Sequence, residues 1–297
     1  MKRAAVLLSV ISAVLMLATL VFPAGADAQD GTTITILHNN DGESNLLPSD
    51  EDPGIARFVA RLKQLQADAP GDGVVTLTSG DNFLASKEFS AAVANGVPYY
   101  DSVALSGLYD AMALGNHDFD FGPETAAAFV SGFDPAIPFL SANADFSGEP
   151  ELQALVDEGR IAASAVIETD GGSVGVIGAI TPRLPNISSP RNVTISSDVA
   201  AAVNAEVEAL EAEGVNMIIL ISHLQGLSQD RDLVPQLNGV DVVIAGGGDE
   251  LLKNDGDTCL PDEEAAEAYP LLIGETPVVT GPGGYRCIGQ LLSLIHI

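Results

Sequence analysis

Basic residues and histidines are scarce in this sequence. Its 297 residues contain 12 Lys and Arg against 41 Asp and Glu, and only four His, so the formal net charge is −29 at pH 7. Because polyphosphates and anionic membrane surfaces repel such a chain, we exclude a general nucleic-acid-binding or membrane-surface protein. Hydrophobic residues make up 46% and charged residues 18%, which is ordinary for a globular protein and not typical of a disordered one.

Long apolar segments are absent beyond the N-terminus, so no later part of the chain is predicted to cross a bilayer. Residues 1–28 have the pattern of a secretory signal peptide, with Lys2 and Arg3 at the start, an apolar run over 4–22 and small residues before a cleavage site. An uncleaved membrane anchor is the alternative, since the run is almost long enough to span a membrane. We therefore expect a secreted, periplasmic or cell-surface protein without a stable membrane partner.

Cysteine is nearly absent, with Cys259 and Cys287 as the only two. In an exported chain a disulfide bond between them is favoured, and it would close a loop rich in acidic residues and proline. Two free thiols or two metal ligands are the alternatives. The prediction of a disulfide therefore depends on the prediction of export.

The pattern of apolar residues predicts an α/β fold. Strands are predicted over 32–38, 74–79, 111–114, 137–141, 215–221, 240–245 and 277–280, with a hairpin formed by 161–168 and 174–180. Helices are predicted over 53–67, 87–95, 100–108, 123–131 and 199–213, and residues 181–192 are predicted to be a loop. Because strands and helices alternate, the sheet should be mostly parallel with right-handed crossovers.

Polar side chains of the kinds that bind metals follow five of these strands. In chain order they are Asp41 and Glu43, Asp81, Asn116 and His117, His223, and Asp249. Because open α/β sheets place their chemistry at the carboxyl ends of strands, we expect these residues to converge on one site. An aspartate that lies between two cations, here Asp81, lets the cations lie about 3.5–4 Å apart. Such a pair activates a water molecule and stabilises the attacking and leaving oxygens of an in-line phosphoryl displacement. The pattern therefore predicts a metal site.

Each of these residues also has a purely structural interpretation. Asp and Asn after strands are common turn formers and helix caps, and Asn82 could cap the next helix as readily as it contacts a substrate. Asp118 is interpreted as a supporting residue, and His38 as the end of a strand. For His117 and His223 a functional role is favoured, because few other histidines are present. The glycine run over 246–248 lacks the Lys and the Ser or Thr of a phosphate-binding P-loop.

The order of the motifs resembles that of a known family. The motifs are Asp41-Gly42-Glu43, Gly80-Asp81-Asn82, Gly115-Asn116-His117-Asp118, Ser222-His223 and Gly246-Gly247-Gly248-Asp249. Together they resemble the calcineurin-like metallophosphoesterases, and more closely the N-terminal domain of the secreted 5′-nucleotidase/2′,3′-cyclic-nucleotide phosphodiesterase family. The resemblance implies a four-layer α/β/β/α sandwich with mixed, mostly parallel sheets, in one domain over residues 29–290. It also implies hydrolysis of phosphomonoesters, with 5′-nucleotides as substrates and two divalent metal ions as cofactors.

The resemblance assigns a role to each matched residue. Asp41 would bind one metal, Asp81 would bridge, and Asn116 and His223 would bind the other. His117 would lie beside the substrate phosphate without binding metal, and its ring would be oriented by Asp120. The residues expected to contact the substrate are Asn82, Asn116 and His117.

Two departures from the family pattern change the expected metal chemistry. Glu43 and Asp249 stand where the family has histidine, so oxygen replaces nitrogen in both places. Gly247 replaces a further histidine and offers no side chain, so one metal position lacks a ligand. Water or Glu250 would take the place of that ligand. The four carboxylates of Asp41, Glu43, Asp81 and Asp249 carry −4 in total. We therefore expect Mn, Mg or Ca, with ferric iron as a further option, in preference to Zn.

Family members also carry a C-terminal domain that stacks the nucleobase and supplies phosphate-binding arginines, and nothing in the sequence corresponds to it. Residues 291–297 are expected to be a truncated or artefactual tail. The alternatives to a nucleotidase are a broad-specificity phosphatase or cyclic phosphodiesterase, a sulfur-ester hydrolase on the same fold, and a catalytically impaired binding or scaffold protein. The presence of His117 together with Asp120 favours an enzyme, since a scaffold has no need of this pair.

Overall fold

The computed structural model of the chain describes residues 31–49, 52–83 and 86–295. The predicted signal peptide over residues 1–28 lies outside the described residues. Within the described ranges we find no helix with the length and apolar composition needed to cross a membrane.

Strands and helices alternate through most of the described chain. The strands are β1 (Thr32–Asn39), β2 (Gly73–Thr78), β3 (Ala111–Ala113), β4 (Phe139–Leu140), β5 (Ala144–Asp145), β6 (Ile161–Ala162), β7 (Ser164–Thr169), β8 (Gly172–Ile180), β9 (Thr194–Ile195), β10 (Met217–His223), β11 (Val242–Gly246), β12 (Leu271–Ile273), β13 (Thr276–Val279) and β14 (Gly289–Ile295). The helices are α1 (Ile55–Ala67), α2 (Lys87–Asn95), α3 (Tyr100–Leu105), α4 (Pro123–Ser131), α5 (Pro150–Asp157), α6 (Leu184–Ile187), α7 (Val199–Ala212) and α8 (Leu227–Leu233). Single 3₁₀ turns cover His117–Phe119 and Val234–Gln236.

Two six-stranded sheets form the centre of the described chain. The first has the order β14-β1-β2-β3-β4-β6, and only β14 runs antiparallel to its neighbour. The second has the order β12-β13-β11-β10-β8-β7, with four parallel central strands and an antiparallel strand at each edge. Strands β5 and β9 pair separately as an antiparallel ribbon. The prediction of mixed, mostly parallel sheets is confirmed.

Side chains on the two faces of each sheet build three hydrophobic clusters. Residues such as Ile36 of β1 and Ile219 of β10, both fully buried, form the core between the sheets. The outer face of the first sheet packs on helices α1 to α5, with Phe58 of α1 in the cluster. The outer face of the second sheet packs on α7 and α8 through residues such as Val203. Because every strand of both sheets has a covered face, the chain forms the predicted four-layer α/β/β/α sandwich.

Several predicted elements differ from those observed. Helix α1 begins at Ile55 and not at Pro53, because Gly54 has a φ of +73°, outside the helical region. The predicted hairpin strand over 161–168 is two strands, since β6 pairs with β4 in the first sheet and only β7 pairs with β8. The predicted loop over 181–192 contains the short helix α6, and α5 and α8 were not predicted.

A disulfide bond and strand β14 close the C-terminal part of the described chain. Cys259 and Cys287 are bonded, which confirms the predicted pairing and excludes free thiols or metal ligation at these positions. Strand β14 pairs with β1 at the edge of the first sheet, where Leu291 lies opposite Ile36. The predicted domain limit at residue 290 therefore falls within a strand, and residues 291–295 belong to the sheet.

Candidate metal centre

Three acidic or imidazole side chains from different strand ends meet in the structure. Asp41 follows β1, Asp81 follows β2, and His223 is the last residue of β10 in the other sheet. One ligand atom of each lies within 4.8 Å of the other two, and all three residues are buried. Asn116, after β3, joins them because its Oδ1 lies 3.1 Å from Nε2 of His223. The two sheets thus bring four of the predicted ligands together at the carboxyl ends of their strands.

The ring of His223 is oriented so that one nitrogen faces the oxygen atoms of the cluster. Its Nδ1 lies 2.6 Å from the carbonyl oxygen of Ser79, and because a carbonyl only accepts, Nδ1 carries the proton. Its Nε2 lies 2.8 Å from Oδ2 of Asp81 and 3.9 Å from Oδ1 of Asp41. Because Nδ1 is committed to the carbonyl of Ser79, Nε2 is the nitrogen that faces the acidic side chains and would bind a metal, as in metal-ligating histidines.

The electrostatics of the cluster favour a bound cation. Burial lowers the pKa of His223, but the carboxylates of Asp81 and Asp41 more than offset this effect and raise the pKa to about 10. Burial raises the pKa of Asp41 to about 7, although the charge of His223 lowers it. Buried carboxylates this close together require added positive charge, which a divalent cation provides as well as a proton does. Carboxylate, amide and imidazole donors suit such a cation, so the residues present fit a metal.

The turns that carry the acidic ligands have unusual backbone conformations. Asp41, Glu43 and Asp81 have φ values of +50°, +53° and +52°. This left-handed region is uncommon for residues other than glycine, and such conformations concentrate at functional sites. The two turns also hold each other, because the N–H of Asp41 donates to the carbonyl of Gly80 at 3.0 Å and that of Glu43 to the carbonyl of Asp81 at 2.9 Å. They therefore form one hydrogen-bonded unit.

Asn40 and Gly247 fix the carboxylate of Asp41. Nδ2 of Asn40 donates to Oδ2 of Asp41 at 2.6 Å and to the carbonyl oxygen of Gly281 at 2.8 Å. The backbone N–H of Gly247 donates to the same Oδ2 at 3.0 Å. Asn40 was not predicted as a site residue, and its position next to Asp41 is the only signal of its role in the sequence.

His117 and Asp120 form the predicted pair at the mouth of the cluster. Nδ1 of His117 lies 2.7 Å from Oδ2 of Asp120, and this hydrogen bond raises the pKa of His117 to about 9. The hydroxyl of Ser188 donates to Oδ1 of Asp120 at 2.9 Å, so the carboxylate is held from both sides. The His117 side chain remains 34% exposed, which leaves it accessible to a substrate.

The two predicted carboxylate replacements occupy different surroundings. Glu43 is half-buried beside the cluster, where burial and then the charge of Asp81 raise its pKa. The side chain of Asp249 is 81% exposed, accepts from the N–H of Gly283 at 3.2 Å and lies 3.8 Å from Nη2 of Arg286. Among the described residues, neither Glu43 nor Asp249 belongs to the close group of Asp41, Asp81 and His223. After burial, the charges of Asp81 and Asp249 both raise the pKa of Glu43. Arg286, which was not predicted, balances the charge of Asp249.

Asn82 and Asp118 support the turns of the site from inside. Nδ2 of Asn82 donates to Oγ1 of Thr78 at 3.0 Å, and the residue is 1% exposed. The cap of helix α2 is Ser86, whose hydroxyl accepts from the N–H of Phe89, so Asn82 does not cap that helix. Oδ2 of Asp118 accepts from the N–H of Gly115 at 2.8 Å, as its interpretation as a supporting residue requires.

Gln225 is a further side chain at the cluster that was not predicted. Its Nε2 donates to Oδ1 of Asn116, the same oxygen that faces His223. Gln225 follows His223 by two residues, and no sequence motif marks it.

Comparison with known proteins identifies relatives of this chain. No model of a known protein family matches the chain. The chain is 31% identical over 231 residues to a 5′-nucleotidase from Diplobatis ommata, and the alignment covers 74% of the chain and 38% of that protein. It shares 32% identity and a TM-score of 0.76 with the structure of a 5′-nucleotidase precursor from Thermus thermophilus, over 88% of the chain and 51% of that structure.

A third comparison extends the shared fold to a protein of more distant sequence. The structure of the calcineurin-like phosphoesterase YfkN from Bacillus subtilis is 20% identical, with a TM-score of 0.68, and is matched over 89% of the chain and 85% of that structure. The chain spans about half the length of the 5′-nucleotidases that it matches, or less. On its sequence similarity, the chain belongs to the 5′-nucleotidase family, and it shares its fold with a calcineurin-like phosphoesterase.

Proposed function

We propose that this chain carries the metal centre of a phosphoric ester hydrolase whose substrates are phosphomonoesters, with 5′-nucleotides as the substrate class. The observation that carries the proposal is the meeting of Asp41, Asp81 and His223 with the amide of Asn116, next to the accessible ring of His117. The similarity to proteins named 5′-nucleotidase supports nucleotides as substrates.

We propose two divalent cations at this centre, with Asp81 between them. As the family resemblance implies, Asp41 would hold one cation and Asn116 and His223 the other, and we propose that Glu43 joins Asp41 in place of the family's histidine. When bound, such a pair activates a water molecule and neutralises charge on the phosphate. Oxygen donors outnumber imidazole here, so Mn²⁺, Mg²⁺ or Ca²⁺ is expected in preference to Zn²⁺, with ferric iron as a further option.

The side chains around the cluster would position the substrate and handle its proton. The carboxylate of Asp120 holds Nδ1 of His117, so Nε2 is the nitrogen left to face a substrate. A protonated imidazole in this position donates to the leaving oxygen as negative charge develops there. Asn116 and His117 border the cluster and would contact the phosphate, whereas Asn82 lies beneath the surface and would act through its neighbours.

We also propose that the protein is exported. The signal-like residues 1–28 and the disulfide between Cys259 and Cys287 both support this. Fractionation of the expressing cells tests it, since export predicts the protein in the culture medium or periplasm, with fewer than one reactive thiol per chain, whereas protein found only in the cytoplasmic fraction would contradict it.

The catalytic proposal is tested with protein freed of metal by chelation. Mn²⁺, Mg²⁺, Ca²⁺ or Zn²⁺ is then added, and hydrolysis of p-nitrophenyl phosphate and of AMP is followed. Turnover that requires added cation, highest with Mn²⁺ or Mg²⁺, supports the proposal. The small aryl phosphate is included because its hydrolysis needs no contact with a nucleobase.

A metal-binding scaffold without activity is the second candidate. The absence of a side chain at Gly247 and the exposure of Asp249 favour it, because both reduce the ligands at the cluster. Binding of cations without hydrolysis of either substrate would support the scaffold. A chain that binds no cation at the cluster would contradict both candidates.

A further inference from the structure

Gly247 lies at the metal centre, and the structure leaves no space for a side chain on it. A Cβ atom added at this residue would lie 2.7 Å from the backbone N and 2.8 Å from the Cα of Gln225. Its φ is +80°, which side chains other than glycine rarely tolerate. A histidine at position 247 therefore cannot be accommodated without displacing the backbone around Gln225.

The side chain of Gln225 already occupies the space that Gly247 leaves open. Its Nε2 lies 3.1 Å from the position that a Cβ on Gly247 would take. The same nitrogen donates to Oδ1 of Asn116, and that oxygen is 3.1 Å from Nε2 of His223. The carboxamide of Gln225 thus contacts Asn116, and Asn116 in turn contacts His223. Asn116 and His223 are the two residues assigned to one of the metal positions.

One oxygen of Glu250, the alternative replacement, is engaged elsewhere, whereas its Oε2 is buried without a hydrogen-bond partner in the part of the chain that the structure describes. Its Oε1 accepts from the backbone N–H of Leu227 at 3.1 Å, at the start of helix α8. Within the same described residues, the carboxamide of Gln225 makes a hydrogen bond only to Asn116, and rotating it by 180° exchanges its oxygen and nitrogen. An amide oxygen is a good ligand for hard divalent cations.

We propose that Gln225 supplies the ligand that Gly247 does not, with its side-chain oxygen completing the metal position of Asn116 and His223. This inference rests on the proposed function, because it assumes cations at the cluster. Without a cation, the amide nitrogen satisfies the oxygen of Asn116. With a cation bound, rotation of the carboxamide turns its oxygen toward the metal position beside Asn116, and no backbone movement is needed.

The test is calorimetric titration of metal-free protein with Mn²⁺, with bound Mn²⁺ also counted by electron paramagnetic resonance. The variants are Gln225→Leu, which removes both amide atoms, and Gln225→Glu, which keeps the oxygen and removes the donor. Gln236→Leu is the matched control. Gln236 lies further along the same stretch of chain, and its side-chain amide donates to the carbonyl oxygen of Asp232. Circular dichroism of the metal-free proteins checks the fold.

We expect wild type and Gln236→Leu to bind two Mn²⁺ alike. Gln225→Leu should weaken one of the two binding steps by at least about tenfold, which is the lower end for altered metal surroundings. Gln225→Glu should retain both steps. If Gln225 only positions Asn116 by donating a hydrogen bond, Gln225→Glu will lose affinity as Gln225→Leu does, and the inference is overturned.

The failure of this inference is distinguishable from the failure of the proposed function. If wild type binds two Mn²⁺ and hydrolyses substrate, and Gln225→Leu binds them equally well, only the role of Gln225 is wrong. If wild type binds no Mn²⁺, both ideas are wrong. Should Gln225→Leu not fold, the comparison of Gln225→Glu with wild type decides, because retained binding supports ligation and lost binding contradicts it.

Discussion

The backbone N–H of His117 donates a 2.8 Å hydrogen bond to Oδ1 of Asp81. The acid expected to lie between two cations therefore also holds the turn that carries the imidazole. The proposed metal ligand Asp81 and the proposed proton donor His117 are thus coupled through the main chain. Replacing the imidazole side chain leaves this bond in place, so the two roles can be separated experimentally.

His117→Gln is expected to reduce kcat with little effect on metal binding. Loss of a positioned general acid typically costs about 10²–10⁴-fold in rate, while the backbone bond to Asp81 persists. Asp120→Asn should cost less, because the imidazole remains. Hydrolysis rates measured with saturating Mn²⁺, together with calorimetric Mn²⁺ titrations, check this. Equal loss of activity and of bound Mn²⁺ in His117→Gln would contradict a role in proton transfer.

Gly115→Ala is expected to abolish metal binding. A Cβ at this residue would lie 2.0 Å from Oδ1 of Asp81, so the carboxylate must leave its place. Gly281→Ala is the control, since Gly281 also lies near the site and the nearest atom to an added Cβ is 3.8 Å away. Calorimetric titration with Mn²⁺ should show binding in Gly281→Ala alone. Normal binding in Gly115→Ala would show that Asp81 is not needed where the structure places it.

Asn40→Ala is expected to weaken Mn²⁺ binding by about 10–100-fold, as loss of a residue that orients a ligand does. The substitution removes the 2.6 Å hydrogen bond to Asp41 and the bond to Gly281 that anchors the turn. Asn40→Asp is the comparison, because it keeps the shape and removes the donor. Calorimetry measures both variants, and an unchanged dissociation constant in Asn40→Ala would contradict the anchoring role.

His38 is expected to make stability fall in acid. Burial lowers its pKa from 6.5 to about 3, so the folded state excludes a proton that the unfolded chain binds below pH 6.5. The contribution of His38 to the free energy of unfolding is therefore fully present above pH 6.5 and is lost as the pH falls toward 3. The linkage relation gives a loss of about 2 kcal/mol between pH 7 and pH 5.

Urea unfolding of metal-free wild type and His38→Gln at pH 7 and pH 5 measures this effect. Glutamine retains a group that can reach the hydroxyl of Tyr269, which His38 contacts at 2.9 Å, and it does not titrate. The difference in unfolding free energy between the two proteins should shift in favour of His38→Gln at pH 5. A difference that is the same at both pH values would show that His38 does not carry the effect.

The sequence pattern predicted which side chains at strand ends lie close together. Asp41, Asp81 and His223 each follow or close a buried apolar strand, and parallel pairing brings such ends to one edge of a sheet. The alternation of strands and helices predicted a mostly parallel sheet, and the four-layer architecture was implied by the family resemblance. These features are local in sequence, so a single chain reveals them.

The parts that could not be predicted depend on distances across the fold. Asn40 and Gln225 act through contacts with the carbonyl of Gly281 and with the amide of Asn116, which lie far away in sequence. Asp249 fits the family spacing, yet its side chain is exposed and its contacts are with Arg286 and the N–H of Gly283. No pattern of residue types encodes which of several partners a charged side chain will meet.

The most direct test of the metal centre is anomalous diffraction from crystals of the protein grown with Mn²⁺. We predict two peaks about 3.5–4 Å apart, both within reach of the carboxylate of Asp81, one of them against Asn116 and His223. A map without a peak among Asp41, Asp81 and His223, or with Mn²⁺ bound only elsewhere on the chain, would contradict a metal-dependent phosphoesterase.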